Sequence, residues 1–384
     1  MKIINLSSIA NPISISVQNP SRSDYDRFIG LEHYDSGEPV ITRFQGTELL
    51  TTSAKAFKAN DILIARRNVY LKRAGIVFFD GITSGDSIIL RLKEDTQKTI
   101  GYSREDLIRY IPFMLNSEHF WIYANKHADG MNSKRISKDT LLEYEFELPS
   151  IDEMRDISDK LWAAYRLKEA YKKLLVTTDE MVKSQFIEMY YNTHNKQTLE
   201  SVCPIMSKGI TPKYVESSSV LVINQACIHW DGQRLGNIKY HNEEIPVRKR
   251  ILESGDVLLN ATGNGTLGRC CVFICPSDNN TYINDGHVIA LSTDRAVILP
   301  EVLNTYLSLN DTQAEIYRQY VTGSTNQVDI VFSDIKKMKV PVPSMDEQIL
   351  FVEVLTQADK SKSVIQKALV YLNDIQSDEL GKIA

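Results

Sequence analysis

The sequence predicts an α+β protein in which two strand-rich α/β domains are separated by a pair of long antiparallel coiled-coil helices, with an internal pseudo-two-fold repeat. Three observations support this fold class: a module that occurs twice, short apolar runs between turn residues in the first part of each copy, and a heptad pattern in the second part. The chain has 384 residues, and single domains usually stop growing at roughly 250 to 300 residues. Two or more domains are therefore expected.

The duplicated module is clearest at two places in each copy. Residues 148–153, LPSIDE, recur as residues 342–347, VPSMDE, at an offset of 194. Residues 60–64 match residues 255–259 at an offset of 195. Self-similarity of this kind indicates that one structural unit is present twice.

A third match, of residues 85–90 with residues 285–290, follows after a small insertion. The repeat then covers the whole chain. We predict two globular domains and two long helices, at residues 1–150 (first domain), 151–192 (central helix), 193–343 (second domain) and 344–384 (C-terminal helix).

The globular part of each copy has the pattern of a strand-rich domain. Short apolar runs such as residues 76–79, IVFF, and 220–223, VLVI, alternate with Gly, Asn, Asp and Pro, as in strands that are joined by turns. Apolar spacing lengthens toward three and four at residues 106–123 and 301–319, which predicts a helix in each place.

The second part of each copy has the heptad spacing of a coiled-coil seam, which Lys168 and Lys362 interrupt with charge. Two helices of about 40 residues reach some 60 Å, and each carries an apolar stripe that needs a partner. An antiparallel pair is the short-path arrangement; a larger bundle or a homodimer is the alternative. The seam positions are Met154, Leu161, Leu175 and Val182 in the first helix and Leu355, Ala358, Ile365, Leu369 and Leu372 in the second.

Composition excludes several classes of protein. A hydrophobic content of 43% with 24% charged residues is typical of a globular protein and not of a disordered one. No stretch approaches the roughly 20 apolar residues of a membrane span, and the first residues are too polar for a signal peptide, so we expect a cytoplasmic protein. The five cysteines lack paired C-x-x-C spacing and the seven histidines lack metal-ligand spacing, so we expect no metal site.

Residues 263–268, GNGTLG, match the G-x-G-x-x-G pattern of dinucleotide-binding proteins. That function requires a helix directly afterwards, whereas residues 269–276 have the composition of a strand. We therefore predict a hairpin-like loop whose glycines allow close approach to a ligand. No catalytic motif is found, so no catalytic residue is predicted. The polar groups of this loop are Asn260, Thr262, Asn264, Thr266 and Arg269.

The equivalent segment of the first domain, residues 66–73, is strongly basic. Arginine can contact guanine in a bidentate manner and asparagine can do the same with adenine, so this loop is a candidate DNA contact; a solvated basic loop is the alternative. The net charge of −5 argues against DNA binding, but residues 344–384 alone contribute −3 of it. The candidate residues are Arg66, Arg67, Asn68, Tyr70, Lys72 and Arg73 in this loop, Lys134 and Arg135 later in the first domain, and Lys208, Thr211, Lys213, Ser324, Thr325, Asn326 and Gln327 in the second.

The whole chain resembles the specificity subunits of type I restriction-modification systems. The resemblance is carried by residues 323–327, GSTNQ, with residues 335–343 and 346–348 at the end of the second domain. In the first domain, residues 28–33, 66–72, 79–82 and 84–86 resemble one recurring class of target-recognition domain. The first junction departs from the family pattern, because Met154 stands where a glutamine is usual.

The resemblance implies a non-catalytic subunit whose two target-recognition domains each read one half of a split target in double-stranded DNA. The helices would space the domains and dock two methyltransferase subunits, which would bind S-adenosylmethionine; this chain itself would bind no cofactor. Restriction or motor subunits would then join. Two alternatives are a fused methyltransferase or nuclease subunit with divergent motifs, and a coiled-coil adaptor without DNA specificity.

Overall fold

The structure is a computed structural model that describes residues 2–131, 133–191, 193–324 and 327–383, with the main chain alone at Tyr191, Ser324 and Gln327. The chain divides into two compact units. Unit 1 is Met1–Lys172 with Gln366–Ala384, and unit 2 is Lys173–Ile365.

Unit 1 contains two four-stranded sheets and a two-stranded one. Its strands are β1 (Lys2–Asn5), β2 (Ala10–Ile13), β3 (Ile15–Val17), β4 (Phe28–Ile29), β5 (Ala54–Phe57), β6 (Ile62–Ala65), β7 (Ala74–Ile76), β8 (Gly81–Thr83), β9 (Ser87–Leu92) and β10 (Glu145–Leu148). The sheets have the orders β2-β9-β6-β7, β3-β5-β8-β4 and β1-β10. Strand β4 is parallel to β8, and the other pairs are antiparallel.

Helices complete this unit. They are α1 (Thr96–Thr99), α2 (Arg104–Met114), α3 (Glu118–Lys126), α4 (Lys138–Leu142) and the first part of α5 (Ile151–Phe186). The single helix predicted for residues 106–123 is two helices, because the Ser117 side chain accepts a hydrogen bond from the Phe120 amide and caps a new helix start. Strand β6 is buried along its whole length, as its unbroken apolar sequence requires of a central strand.

Unit 2 contains the remaining strands, which are β11 (Lys196–Thr198), β12 (Ile205–Lys208), β13 (Tyr214–Val215), β14 (Val220–Ile223), β15 (Ile228–His229), β16 (Gly232–Gln233), β17 (Lys239–His241), β18 (Val257–Asn260), β19 (Cys270–Val272), β20 (Thr281–Asn284), β21 (Val288–Ser292), β22 (Val321–Ser324), β23 (Gln327–Ile330) and β24 (Lys339–Pro341). Its four-stranded sheets have the orders β12-β21-β18-β19 and β13-β17-β14-β20. Strands β14 and β20 are parallel.

The helices of unit 2 are α6 (Leu199–Val202), α7 (Pro300–Ser308), α8 (Asn310–Gln319), α9 (Phe332–Ile335) and the first part of α10 (Met345–Leu380). The helix predicted for residues 301–319 is again two helices, because Leu309 takes an extended conformation with φ −66° and ψ 143°.

The first sheets of the two units have corresponding strands in the same order, β2-β9-β6-β7 and β12-β21-β18-β19. Their register corrects one detail of the sequence match. Ile62 pairs with Leu90 in unit 1, and its equivalent Val257 pairs with Leu291 in unit 2. Leu90 is therefore equivalent to Leu291 and not to Ala290, because the insertion before this strand is one residue longer than the apolar pattern indicates.

In unit 1, parts of the two long helices pack on the same apolar core. Met154 and Leu161 are fully buried in it, together with Ile383 beyond the end of α10. Lys168, at a heptad position, is 7% exposed and donates a hydrogen bond to Gln376 Oε1 at 2.7 Å. A charged residue is accommodated in the seam because a polar side chain of α10 faces it and the Glu38 carboxylate lies 3.8 Å from its Nζ.

In unit 2, the other parts of the two helices pack in an antiparallel manner. The Phe186 ring lies 5.1 Å from that of Phe351, and Lys362 Nζ lies 2.9 Å from Asp179 Oδ1. The residue numbers of the contacting side chains therefore increase along one helix and decrease along the other, as in an antiparallel pair. Of the remaining seam positions, Val182, Ala358 and Ile365 of this unit are buried and Leu175 and Leu355 are half-buried. In unit 1, Leu372 is buried and Leu369 is half-buried.

Each long helix begins with a capping box, which explains the repeated P-S-x-D-E sequence. Ser150 Oγ and the Ser150 amide donate to Glu153 Oε2, and the Glu153 amide donates back to Ser150 Oγ. Ser344 and Glu347 form the same three hydrogen bonds.

No helix within the described ranges is long and apolar enough to cross a bilayer. Among the same residues, no group of three His, Cys, Asp or Glu side chains could hold a metal ion. The cysteines are unpaired, and burial raises the pKa of the Cys203 thiol to about 12.

Candidate nucleic-acid interface

The basic loop of unit 1 joins β6 to β7 and is held by main-chain hydrogen bonds to two other segments. The Arg66 amide donates to the Asp86 carbonyl at 2.9 Å. The Ile136 amide donates to the Arg66 carbonyl at 3.0 Å, and the Asn68 amide to the Lys134 carbonyl at 2.8 Å. The fold thereby brings together the two segments that were predicted as DNA contacts in this domain, residues 66–73 and 134–135.

The tip of this loop is a short 3-10 turn, Val69–Leu71, between two residues with left-handed backbone conformations. Asn68 has φ 55° and Lys72 has φ 49°. This region costs a non-glycine residue on the order of 1 kcal/mol, and such residues are concentrated at functional sites. Val69 anchors the turn in the core, while Tyr70 is 59% exposed.

One of the six candidate side chains in the loop, that of Arg73, bonds directly to main-chain carbonyls. Arg73 donates to the carbonyls of Leu31 at 2.9 Å and Arg67 at 3.0 Å, and burial lowers the pKa of its guanidinium. Arg66 is half-buried. Burial, and then the charge of Arg66, lower the pKa of Lys55, which donates to the carbonyl of Ser87.

Four other cations of this region are exposed: Arg67, Lys72, Lys134 and Arg135. Arg67 is the one whose guanidinium is held by side chains. Its Nε donates to Ser133 Oγ at 2.9 Å, and its Nη1 lies 3.8 Å from Asp86 Oδ2. The Ser133 hydroxyl in turn donates to Asn68 Oδ1 at 3.1 Å. The loop therefore presents one oriented arginine among exposed cations that lack such side-chain support.

The glycine-rich loop of unit 2 joins β18 to β19 and has the same main-chain pairing. The Ala261 amide donates to the His287 carbonyl at 2.8 Å, and the Ile330 amide donates to the Ala261 carbonyl at 2.8 Å. Thr262 and Asp329 form an isolated bridge, as Arg67 and Arg135 do in unit 1. The two predicted loops thus occupy equivalent positions in their units.

The sequence prediction for the G-x-G-x-x-G segment is confirmed in one respect. A strand, β19, follows it and pairs antiparallel with β18, so no helix begins there to bind a pyrophosphate. Gly263, Gly265 and Gly268 have φ values of 96°, 80° and 85°, which side chains rarely adopt.

Polar side chains of this loop bond mainly within unit 2. Thr262 Oγ1 lies 2.9 Å from His287 Nδ1, Thr266 Oγ1 donates to the Thr262 carbonyl, and Arg269 donates to the Gly265 carbonyl. Asn260 is fully buried, whereas Asn264 is exposed. Apart from the half-buried Arg269, this loop presents neutral polar groups, whereas residues 66–73 of unit 1 carry four cations.

The other candidates of the second domain lie near this loop or outside the described residues. Lys208 Nζ forms an ion pair with Asp329 at 2.8 Å. Thr211 and Lys213 are exposed. Thr325 and Asn326 lie outside the described residues, and Ser324 and Gln327 are the ends of β22 and β23. The assignment of all these residues to DNA contact stays a prediction.

A cleft of about 640 Å³ adjoins the glycine-rich loop and was not predicted. His287, which contacts Thr262, lines it with Asp285, whose carboxylate accepts a hydrogen bond from the His287 amide at 2.9 Å. Burial raises the pKa of Asp285. Gln225 also lines the cleft and accepts from Thr266 Oγ1. The sequence repeat had matched the segment that contains His287 with the segment of the first domain that contains Asp86. No pattern in the sequence indicates Gln225 as a site residue.

The fold is one found in type I restriction-modification systems, although no protein-family model and no curated protein matches the chain. A chain from a structure of a type I system that concerns complex assembly and conformational transition is 16% identical. It has a TM-score of 0.59, over 99% of this chain and 96% of that one. The S subunit of the type I system of M. genitalium is 13% identical, with a TM-score of 0.55 over 99% and 94%. The resemblance seen in the sequence is thus confirmed at the level of the fold.

Proposed function

We propose that this chain is the DNA-recognition subunit of a type I restriction-modification complex and has no catalytic activity of its own. Its two target-recognition domains each read one half of a bipartite target in double-stranded DNA. Phosphate contacts position such domains, and contacts to base edges give specificity. The long helices set the spacing between the half-sites and dock two methyltransferase subunits, to which restriction subunits can add.

The observation that carries this proposal is the fold likeness along the whole chain, with polar loops at equivalent positions in the two units. The main chain of Arg66 is hydrogen-bonded to Asp86 and Ile136, and the main chain of Ala261 is hydrogen-bonded to His287 and Ile330 in the same way. The presence of an equivalent loop in each domain supports a protein that recognises two separate DNA elements, one with each domain. The capping boxes and the seam contacts in each unit support a role for the helices as stable spacers.

The chain's net charge of −5 is compatible with this role, because a phosphate responds to charges within about 10 Å more than to distant ones. The methyltransferase subunits would supply further phosphate contacts and would bind S-adenosylmethionine. The complex would act in the cytoplasm, where it has access to chromosomal DNA.

The test is to express the chain with the methyltransferase subunits of its own cell in a host without adenine methylation. Sequencing of the modified adenines should give one motif of two short elements and a fixed gap, and omission of the chain should abolish the methylation. Methylation without the chain, or a motif without a gap, would contradict the proposal.

The enzyme alternative is tested on the purified chain. Incubated with S-adenosylmethionine, magnesium and DNA, it should neither methylate nor cleave. Retention of DNA without sequence preference by the reconstituted complex would instead favour the adaptor alternative.

A further inference from the structure

We infer that Arg67 reads a guanine base in the half-site of the first domain, while the other exposed cations of its loop contact phosphates. This inference rests on the proposed function, and it assigns the chemistry of one position of the target. It starts from the different ways in which the cations of this surface are held.

Arg67 is exposed yet oriented. Its side chain is 45% exposed, and its Nε is tied to Ser133 Oγ at 2.9 Å. Ser133 is itself fixed by Asn68, whose left-handed backbone conformation shapes the loop. A guanidinium held in this way loses less conformational freedom on binding and keeps its fork in a fixed direction, as recognition of a base edge requires.

The neighbouring cations lack such supports. Among the described residues, the side chains of Lys72 and Arg135 make no hydrogen bond or ion pair, and both are exposed. Lys134 has one long contact, of 3.4 Å, to the Asn125 carbonyl. Flexible, solvated cations suit phosphates, which need charge more than direction.

Asp86 separates the two kinds of contact by charge. Its carboxylate lies 3.8 Å from Arg67 Nη1 and is 29% exposed. A phosphate that approached Arg67 would meet this negative charge, whereas the edge of a guanine is neutral and offers the O6 and N7 acceptors. The pair itself is too long and too exposed to hold the guanidinium back from DNA.

The equivalent position in unit 2 carries a different group. Thr262 forms the isolated β-bridge that corresponds to the bridge of Arg67 in unit 1. Its hydroxyl lies 2.9 Å from His287, and His287 is the residue equivalent to Asp86, which faces Arg67. The scaffold is thus shared and the exposed side chain differs, as expected of a position that determines which base is read.

The experiment pairs protein variants with modified DNA in the reconstituted complex. Each guanine of the target is replaced in turn by 7-deazaguanine, which lacks the N7 acceptor, and the rate of methylation at low DNA concentration is measured. In the wild-type complex, one guanine of one half-site should show a loss of about 5-fold or more. A full bidentate arginine–guanine contact is worth about 5- to 150-fold, and 7-deazaguanine removes one of its two acceptors.

With Arg67→Ala, the sensitivity to 7-deazaguanine should vanish at that guanine and persist elsewhere, which also shows that the variant is folded. Arg67→Lys keeps the charge and a donor that can still reach guanine O6 or N7, but not the planar fork, and should lose part of the same sensitivity. The matched control is Arg135→Ala, which should weaken binding to all sequences alike and reduce the salt dependence.

The inference is overturned if Arg67→Ala retains the wild-type sensitivity to 7-deazaguanine at every guanine, if Arg67→Ala weakens binding equally at every sequence, or if neither half-site contains a guanine. These outcomes leave the proposed function intact as long as the wild-type complex methylates a two-part motif. Absence of sequence-specific methylation by the wild type would instead refute the proposed function.

Discussion

Gln348 is a buried polar residue whose replacement tests how the C-terminal helix is fixed to the second domain. Its side chain is fully buried. It accepts a hydrogen bond from the Leu299 amide at 2.8 Å and donates to the carbonyls of Val297 at 2.9 Å and Pro343 at 3.0 Å. The equivalent residue in unit 1, Met154, is packed in apolar surroundings instead.

The variant Gln348→Met keeps the volume nearly unchanged and removes all three hydrogen bonds. A buried donor without a partner costs about 1 to 3 kcal/mol, and each deprived carbonyl costs less because it has a second lone pair. The more apolar side chain offsets about 1 kcal/mol of this loss. We expect the free energy of opening at this junction to fall by about 2 to 3 kcal/mol.

Hydrogen exchange at the Leu299 amide measures this change directly. A loss of 2 to 3 kcal/mol corresponds to exchange roughly 30 to 150 times faster. Gln357→Met makes the same chemical change at an exposed position of the same helix and should leave the rate nearly unaltered. Exchange in Gln348→Met within threefold of the wild-type rate would refute the reasoning.

Three further predictions concern packing, backbone and charge. Phe351→Ala should lower the unfolding free energy of unit 2 by about 3 to 5 kcal/mol in denaturant titrations, with a smaller loss for Phe351→Leu, because the ring is fully buried; equal losses would contradict this. Gly209→Ala should prevent correct folding of the second domain, since a Cβ there would overlap backbone carbonyls, whereas Gly236→Ala has open space and should show an unchanged circular dichroism spectrum and melting temperature. Asp106→Asn should cost unit 1 about 1 kcal/mol at pH 6, because the hydrogen bond from Arg155 holds the pKa of Asp106 below its usual value. In thermal melts the cost should begin to shrink as the pH falls below about 4, where the carboxyl is protonated in the unfolded chain, and should vanish only below the lowered pKa of the folded protein.

Local patterns in the sequence predicted the long helices and the strand-rich character of both domains. The heptads predicted long helices, and the structure has them at Ile151–Phe186 and Met345–Leu380. The capping boxes could also have been read, since serine precedes glutamate by three residues at both helix starts. The breaks at Ser117 and Leu309 were missed because apolar spacing continues through them, and periodicity does not register a single cap or extended residue.

The candidate site was predictable as a set of segments and not as a set of side-chain roles. The repeat placed the basic loop and the glycine-rich loop at equivalent positions. It could not show that Arg73 bonds to main-chain carbonyls or that Lys208 pairs with Asp329, 121 residues away. Such roles depend on which groups the tertiary fold brings within hydrogen-bonding distance, and composition contains no information about that.

The difference between the two loops follows from their shared scaffold. Each loop is held by equivalent main-chain hydrogen bonds. The Arg66 carbonyl accepts from the amide of residue 136, and the Ala261 carbonyl accepts from the amide of residue 330. Because these bonds involve no side chain, the residues at the loop surface can change without loss of the fold. One copy has arginines and lysines there, with the strained backbone of Asn68 and Lys72, and the other has glycines, neutral polar groups and the single cation Arg269. A duplicated module of this kind can present two different surfaces on one architecture, which is what the recognition of two unlike half-sites would require.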